Sequence, residues 1–279
     1  MIYVRKLDIL YFEDNKPNDL YMFQELTNQI RGFYSKRYIC KELKEKEHIN
    51  NPGIYFLIAH YEDETRIYVG KSKNIFQRIQ EHIIKKDFWD ECYIFVTDNN
   101  SFNMATVDYL EHLFIQKVKK SSYFVENVIE RTQEPTVTDF DLPLIDKSFE
   151  QIKFLLSCMG IKFEGKLNKE EIHEKIYISS KRKNCKLTYS DGKFILLNGS
   201  QLIRPIESSK EWSDNGRFYN RFNKLIDELL EQKKAIEEND KVLLKIDYPF
   251  DSPSPAAEIC SGYAENGYLF WSGLDEIRK

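Results

Sequence analysis

Cysteine is scarce and unpatterned in this 279-residue chain: Cys40, Cys92, Cys158, Cys185 and Cys260 are odd in number, widely spaced and free of any CxxC. That excludes a disulfide framework and leaves no thiolate zinc site, so they read as reduced thiols of a cytoplasmic protein. No apolar run approaches the roughly 18–20 residues of a membrane span. The start, MIYVRKLDILYFEDN, breaks into charge too early for a secretory signal, so neither export nor a membrane partner is expected. An excess of positive charge is missing too. With 41 basic and 45 acidic side chains the net charge is −4, which argues against coating nucleic acid through bulk electrostatics but allows a positive cleft. There is no internal repeat and no low-complexity tract.

What remains is a chain with 42% hydrophobic and 31% charged residues, long enough for a buried core and two domains. Residues 1–50 predict a helical extension, with helices around LYMFQELTNQIRGF and KRYICKELKEKEH that end at NNPG. Residues 51–132 change to strand, turn, strand in GIYFLIAH and ETRIYVG, rich in β-branched and aromatic residues. NIFQRIQEHIIKK follows as a helix with Asn74 as N-cap and Ile75, Ile79 and Ile83 along one stripe. CYIFVTD is a third strand and TVDYLEHLFIQKVKK a second amphipathic helix. Residues 133–186 read as a linker, TQEPTVTDFDLPLID, and a helical connector containing FEQIKFLLSCMG. Residues 187–279 form a C-terminal accessory domain of α+β type. It holds a hairpin turning at Asp191-Gly192, the helix DNGRFYNRFNKLIDELLEQKKAI, a Ser-Pro-initiated helix stopped by Gly262, and an Asn266-Gly267 turn.

Two tripeptides, Gly53-Ile54-Tyr55 and Tyr68-Val69-Gly70, flank the first turn. Pairing Gly53 with Gly70 puts Tyr55 opposite Tyr68 around a four-residue loop, His60 to Asp63. An even loop places both phenols on one face, and the glycines leave backbone room for a large ligand. Alone, two opposed tyrosines are an ordinary cross-strand aromatic pair.

The helices add chemistry to that pair. Arg78 and His82 lie four apart and project from one face, an arginine fork that matches phosphate oxygens beside an imidazole that can shuttle a proton. Lys71 could neutralise a phosphate or depress a tyrosine pKa. Glu111 projects from the apolar stripe of the second helix and needs a partner, a salt bridge or a metal. Asn127 could orient a neighbour or serve as a turn residue. In the C-terminal domain Arg204, Arg217, Arg221 and Lys224 stand near Phe218 and Tyr219, but the strip is nearly neutral and a plain folded accessory domain is the better reading.

GIY, then YVG, then Arg-x-x-x-His on a helix, then a helix glutamate and a later asparagine resembles the GIY-YIG nuclease family over Gly53 to Asn127. DFWDECYIFVTD, KFILLNGS and DYPFDSPSPAA resemble the branch that carries a small C-terminal domain of unknown function. The resemblance implies an α/β (α+β) fold, a small three-stranded antiparallel sheet flanked by helices, with strands at 53–60, 64–70 and 92–98 and helices at 74–86 and 105–119. It implies a metal-dependent endonuclease acting on nucleic acid, DNA ahead of RNA. Glu111 would be the single protein ligand of Mg²⁺, with Mn²⁺ able to substitute. Tyr55 takes the role of general base with its pKa lowered by nearby cations; Tyr68 orients water and phosphate, Arg78 clamps phosphorane charge, and His82 relays a proton. The alternatives are a binding or interaction module on a nuclease scaffold, and a nuclease subunit requiring a partner. Partner proteins or a homodimer complete the expected partners.

Overall fold

A computed structural model of the chain describes residues 4–12, 18–26, 28–61, 64–99, 101–127, 134–163, 175–181, 184–190, 192–205, 217–239 and 241–274. Gly53–His60 is buried at every position but the last, as a strand must be when both faces of its sheet are covered. It lies inside the first of two compact units, Met1–Lys119 with Tyr123–Phe163. The strands of this unit are β1 (Leu7–Tyr11), β2 (Leu20–Glu25), β3 (Ile30–Lys36), β4 (Gly53–His60), β5 (Thr65–Ser72), β6 (Glu91–Thr97) and β7 (Phe124–Val125). They form one sheet in the order β1-β2-β3-β6-β4-β5-β7, antiparallel throughout except for the parallel β5–β7 pair.

The helices of this unit are a 3₁₀ helix (Arg37–Glu45), α1 (Ile75–Lys85), α2 (Met104–Lys119) and α3 (Leu142–Cys158). Asn74 caps α1, its side chain accepting from the Gln77 N–H at 3.0 Å. Strand alternation then sorts the core into two layers. Ile54, Phe56, Ile67, Val69 and Phe95 pack with Val107, Leu110 and Phe114 of α2 and Ile152 and Leu155 of α3. Tyr55, Leu57, Cys92 and Ile94 face the other way, against Cys40 and Leu43 of the 3₁₀ helix and Ile75 and Ile79 of α1.

The trio β6-β4-β5 matches the three predicted strands, but the sheet has seven strands, not three. The difference comes from the N-terminal segment. Leu20–Phe33, expected as a helix, forms β2 and β3, while Arg37–Glu45 is helical as expected. Tyr21, Phe23, Phe33 and Tyr34 suit a pleated surface, and Gly32 is a poor helix residue. β3 also pairs with β6 from Ile30↔Thr97 to Lys36↔Glu91, giving an otherwise open sheet edge its hydrogen-bond partners. β1, β2 and β3 of the N-terminal stretch are thus part of the same sheet as the strands that follow.

Lys120–Ser122 and Glu164–Lys279 make the second unit. A four-stranded sheet runs β14-β10-β9-β8, from β8 (Tyr177–Ile178), β9 (Lys186–Ser190), β10 (Lys193–Leu196) and β14 (Tyr248–Phe250). A three-stranded sheet runs β11-β13-β12, from β11 (Gln201–Leu202), β12 (Ala235–Glu238) and β13 (Lys241–Leu244). The helices are α4 (Arg217–Glu231), α5 (Pro253–Ser261) and α6 (Gly267–Phe270). α4 buries Phe222, Leu225, Ile226 and Leu229 as its periodicity predicts. The β9–β10 register, Ser190↔Lys193, leaves a two-residue turn in which Asp191 lies outside the described residues. α5 ends at Gly262 with φ +76°, the left-handed residue that favours glycine. Asn266 is not a hairpin turn residue. Its side chain accepts from the Tyr268 N–H at 3.1 Å and so starts α6. α3 also differs from expectation, beginning at Leu142 inside the predicted linker with Pro143 in its first turn, where proline is tolerated.

Candidate active site

The β4–β5 hairpin carries the two tyrosines on one face, as an even loop requires. Its register is displaced by two residues from expectation: His60 pairs with Thr65, Tyr55 with Gly70 and Leu57 with Tyr68. The loop is 61–64, closed by Tyr61 N–H donating to the Glu64 carbonyl at 2.8 Å. Tyr55 and Tyr68 are therefore diagonal neighbours, their ring centroids 6.2 Å apart. The glycine opposite Tyr55 has a definite job. A Cβ on Gly70 would fall on the Tyr55 ring and hydroxyl, so the space that glycine leaves is filled by Tyr55 and not held open for a ligand.

α1 lies across this face and brings both of its polar residues to the phenol. His82 Nε2 is 2.7 Å from the Tyr55 hydroxyl. Arg78 Nε donates to the same oxygen in a long 3.4 Å bond, and its Nη1 donates to Glu81 at 2.8 Å. The tautomer of the imidazole sets which of the two groups donates in the bond between the Tyr55 hydroxyl and Nε2. His82 ring centroids lie 5.4 Å from both Tyr55 and Tyr68, so the three rings form one cluster.

Burial fixes the charge states. His82 is lowered to about 4, chiefly by desolvation and further by the cations Arg78 and Lys86, so the ring is neutral near pH 7. Its Nδ1 is buried without a hydrogen-bond partner. Tyr55 is fully buried and its phenol is pushed up by desolvation, then by Tyr68, with Arg78 pulling only partly the other way. A cation-lowered Tyr55 was the expectation; burial outweighs the arginine. Tyr68 is the more accessible phenol, and Lys86 Nζ sits 4.3 Å from its ring centroid.

Lys71 points to the α2 side of the sheet, where it meets Glu111. Lys71 pairs with Ile54 in the register and is ion-paired with both Asp108 and Glu111 of α2, the latter at 3.3 Å. Lys71 thus does not reach for the phenols as expected, because it lies three residues from Tyr68 on a strand of period two. Glu111 is still close enough to Tyr55 for its charge to help raise that phenol. Asn127 is a positioning residue. Its Oδ1 accepts from Val69 N–H at 3.0 Å and its Nδ2 donates to the Val69 carbonyl at 2.7 Å, so its side chain continues the outer edge of β5.

Two residues here escape the sequence reading. Asp108 stands three before Glu111, one turn away on the same helical face, and Lys86 stands four after His82; helical spacing carries both signals. Among the described residues no three His, Cys, Asp or Glu side chains gather as a metal cage. A single divalent ion of the magnesium type needs less, one or two carboxylates with water completing its shell. Asp108 and Glu111 already converge on a cation, the Lys71 ammonium, so the donor set fits such an ion. In the second unit, Arg204 is held by Asp227 at 2.7 Å and Lys224 by Glu228 at 3.8 Å, in keeping with a plain folded domain; the side chains of Arg217 and Phe218 lie outside what is described.

No helix among the described residues is long and apolar enough to cross a membrane. No curated protein and no solved structure matches the chain. Residues 176–277 match the model of a family described as Domain of unknown function (DUF4357), in agreement with the expected C-terminal domain of unknown function, though beginning before Leu187.

Proposed function

We propose that the first unit is a metal-dependent phosphodiesterase of the GIY-YIG type, an endonuclease that hydrolyses nucleic acid, DNA ahead of RNA. The observation that carries the reading is the Tyr55–His82–Arg78 contact with Tyr68 in the same ring cluster. An arginine, a neutral imidazole and two phenols on one face are the groups that binding a phosphate and moving a proton require. Their order along the chain, closed by Glu111 and Asn127, is the order of the resemblance.

Arg78 clamps a phosphate oxygen and stabilises charge that builds on phosphorus. Tyr68, the accessible phenol, takes the water-facing role in place of Tyr55. Tyr55 and His82 share one hydrogen bond between Oη and Nε2, with burial keeping the phenol protonated and the imidazole neutral. Glu111, with Asp108 one turn before it, would hold a magnesium ion, which when bound draws charge from the phosphate and acidifies water. Asn127 fixes the edge of β5 on which Tyr68 and Gly70 lie.

The test is cleavage of plasmid DNA, single-stranded DNA and structured RNA with magnesium, with manganese, and with EDTA. Arg78→Ala and Glu111→Ala, folded by circular dichroism, should both lose metal-dependent cleavage. Undiminished cleavage by both would overturn the reading. The Lys71 ion pairs with Asp108 and Glu111 favour a second reading, a nucleic-acid-binding module that does not cleave. Binding without cleavage under all three metal conditions would select it.

A further inference from the structure

We infer that the pocket between the 3₁₀ helix and the C-terminal end of α1 is a second contact site for a nucleic-acid strand, gripping the sugar-phosphate chain beside the phosphate presented to Arg78 and Tyr68. The identity of the polyanion rests on the phosphodiesterase reading of that face; the charged and aromatic groups of the site come from residues 36–41, ahead of the stretch that carries the motifs, with Ile83 and Asp90 completing its wall.

Charge is the first observation. Residues 36–46 and 73–86 hold nine basic side chains against three acidic ones, Glu42, Glu45 and Glu81, in a chain whose totals are 41 and 45. These two segments are neighbours in space, because Arg37 donates to the carbonyls of Ile83, Lys86 and Asp87 at 3.1, 2.8 and 2.8 Å. The two segments carry a local excess of positive charge, with the carboxylates Asp19, Asp90 and Glu91 standing beside them. Such a local field attracts a polyanion that the protein as a whole repels.

Shape is the second. At that junction lies a pocket of about 580 Å³ lined by Lys36, Arg37, Tyr38, Lys41, Ile83 and Asp90. Three cations face one carboxylate. Lys36 is engaged by Glu91 at 2.8 Å and Arg37 by the carbonyls at the end of α1, so both are fixed in place. Lys41 is exposed and makes no ion pair among the described residues, so its ammonium remains available for a phosphate. The Tyr38 ring is 72% exposed, and its hydroxyl is tied to Asp19 at 2.6 Å, which presents a held aromatic face for a base to stack on.

Continuity is the third. Lys86 supplies a carbonyl to Arg37 and leans its ammonium over the Tyr68 ring at 4.3 Å, so one residue borders both the pocket and the phenol. A strand lying on Tyr68 and Arg78 is thereby led past Lys86 to Lys41 and Tyr38.

The experiment is fluorescence anisotropy of a fluorescein-labelled 30-nucleotide single strand and the matching duplex with the full-length protein, in EDTA, across a salt series. Lys41→Glu should weaken both by roughly fivefold or more and reduce the slope of log K against log salt by about one, as expected for one lost phosphate contact. Tyr38→Ala should weaken the single strand more than the duplex. Lys245→Glu, an equal charge change in the second unit, should leave binding unchanged. Wild-type affinity and slope in Lys41→Glu, or no binding by the wild type at low salt, would overturn the inference. If the wild type binds through Lys41 yet never cleaves with added metal, the inference stands and the phosphodiesterase reading falls.

Discussion

The Tyr55 hydroxyl and His82 Nε2 are 2.7 Å apart beneath α1, joining a strand residue to a helix residue 27 positions later in a site where both are buried. Neither group is free to titrate as it would in water. The phenol is held protonated and the imidazole neutral, each because burial penalises its charged form.

That neutral imidazole makes stability depend on pH. An unfolded histidine takes up a proton below 6.5, whereas His82 in the folded protein does so only near 4. The unfolded state binds more protons between these values, so stability is full above 6.5 and falls as pH drops towards 4, by up to about 3 kcal/mol. Urea unfolding at pH 7.5, 5.5 and 4.5 should show this loss, and His82→Gln should flatten it. Glu91, lowered to about 2 by hydrogen bonds from His60, Lys36 and Tyr34 despite its burial, gives a second loss only between 4.5 and 2. An equal slope from 6.5 to 4.5 in His82→Gln would show that another group carries it.

Gly70→Ala tests the packing of the phenol. The added methyl would meet the Tyr55 ring and hydroxyl, which are enclosed and cannot swing away. A loss of about 1–3 kcal/mol in unfolding free energy is expected from overpacking. Any cleavage activity should fall further than stability, because the displaced hydroxyl leaves His82. Pairing the substitution with Tyr55→Phe should recover part of the stability and none of the activity. Wild-type stability in Gly70→Ala would contradict the close approach.

The stretch from Gly53 to Lys119 was the most legible part of the sequence because its periods are clean. Ile75 and Ile79 mark a helix face, Asn74 a cap, and an even loop forces two phenols to one side whichever of the two registers is chosen. The register itself was not legible. Matching glycine to glycine looked natural, but the sheet instead places Tyr55 against Gly70, where the ring needs the missing side chain. β3 is hidden because its outer hydrogen bonds go to β6, some sixty residues away, a partner that no local pattern reports, and β2 joins the sheet only through β1 and β3. Lys71 is the instructive miss. Its position three after Tyr68 already placed it on the opposite face, and a strand's period of two was enough to show that it meets α2 and not the phenols.

Asn127 acts through backbone. Its amide makes both bonds to Val69, a pattern that Asp, which cannot donate, and Leu, which can do neither, reproduce in part or not at all. Asn127→Asp should keep the Val69 N–H bond and lose the carbonyl one, whereas Asn127→Leu leaves both backbone groups without it, at about 1–3 kcal/mol. Hydrogen exchange at the Val69 and Lys71 amides should speed up in the order wild type, Asp, Leu. If substrate cleavage is present, kcat should fall in the same order with KM nearly unchanged, since the residue holds the strand and does not touch the ligand. A large rise in KM instead would place the amide against substrate.

In the second unit Lys234 is 1% exposed, and its Nζ donates to the Ser121 carbonyl. Desolvation lowers it from 10.5 to about 7. Below 7 both the folded and the unfolded states carry the proton, so the full cost of a buried ammonium is felt. Between 7 and 10.5 the unfolded state binds more protons than the folded one, so stability rises with pH across that window. The side chain therefore holds its carbonyl most cheaply as a neutral amine. Lys234→Met removes the titration and the bond to the Ser121 carbonyl, two effects of opposite sign at neutral pH. Across the window from 7 to 10.5 wild type gains about 1.4 kcal/mol per pH unit relative to the variant, so between pH 7.5 and 9 the balance should move towards wild type by about 2 kcal/mol, and only above 10.5 does the lost hydrogen bond act alone. Chemical denaturation at pH 6.5, 7.5 and 9 reads the two curves directly, and parallel curves would mean that Lys234 keeps its proton throughout and is solvated from a direction its burial does not reveal.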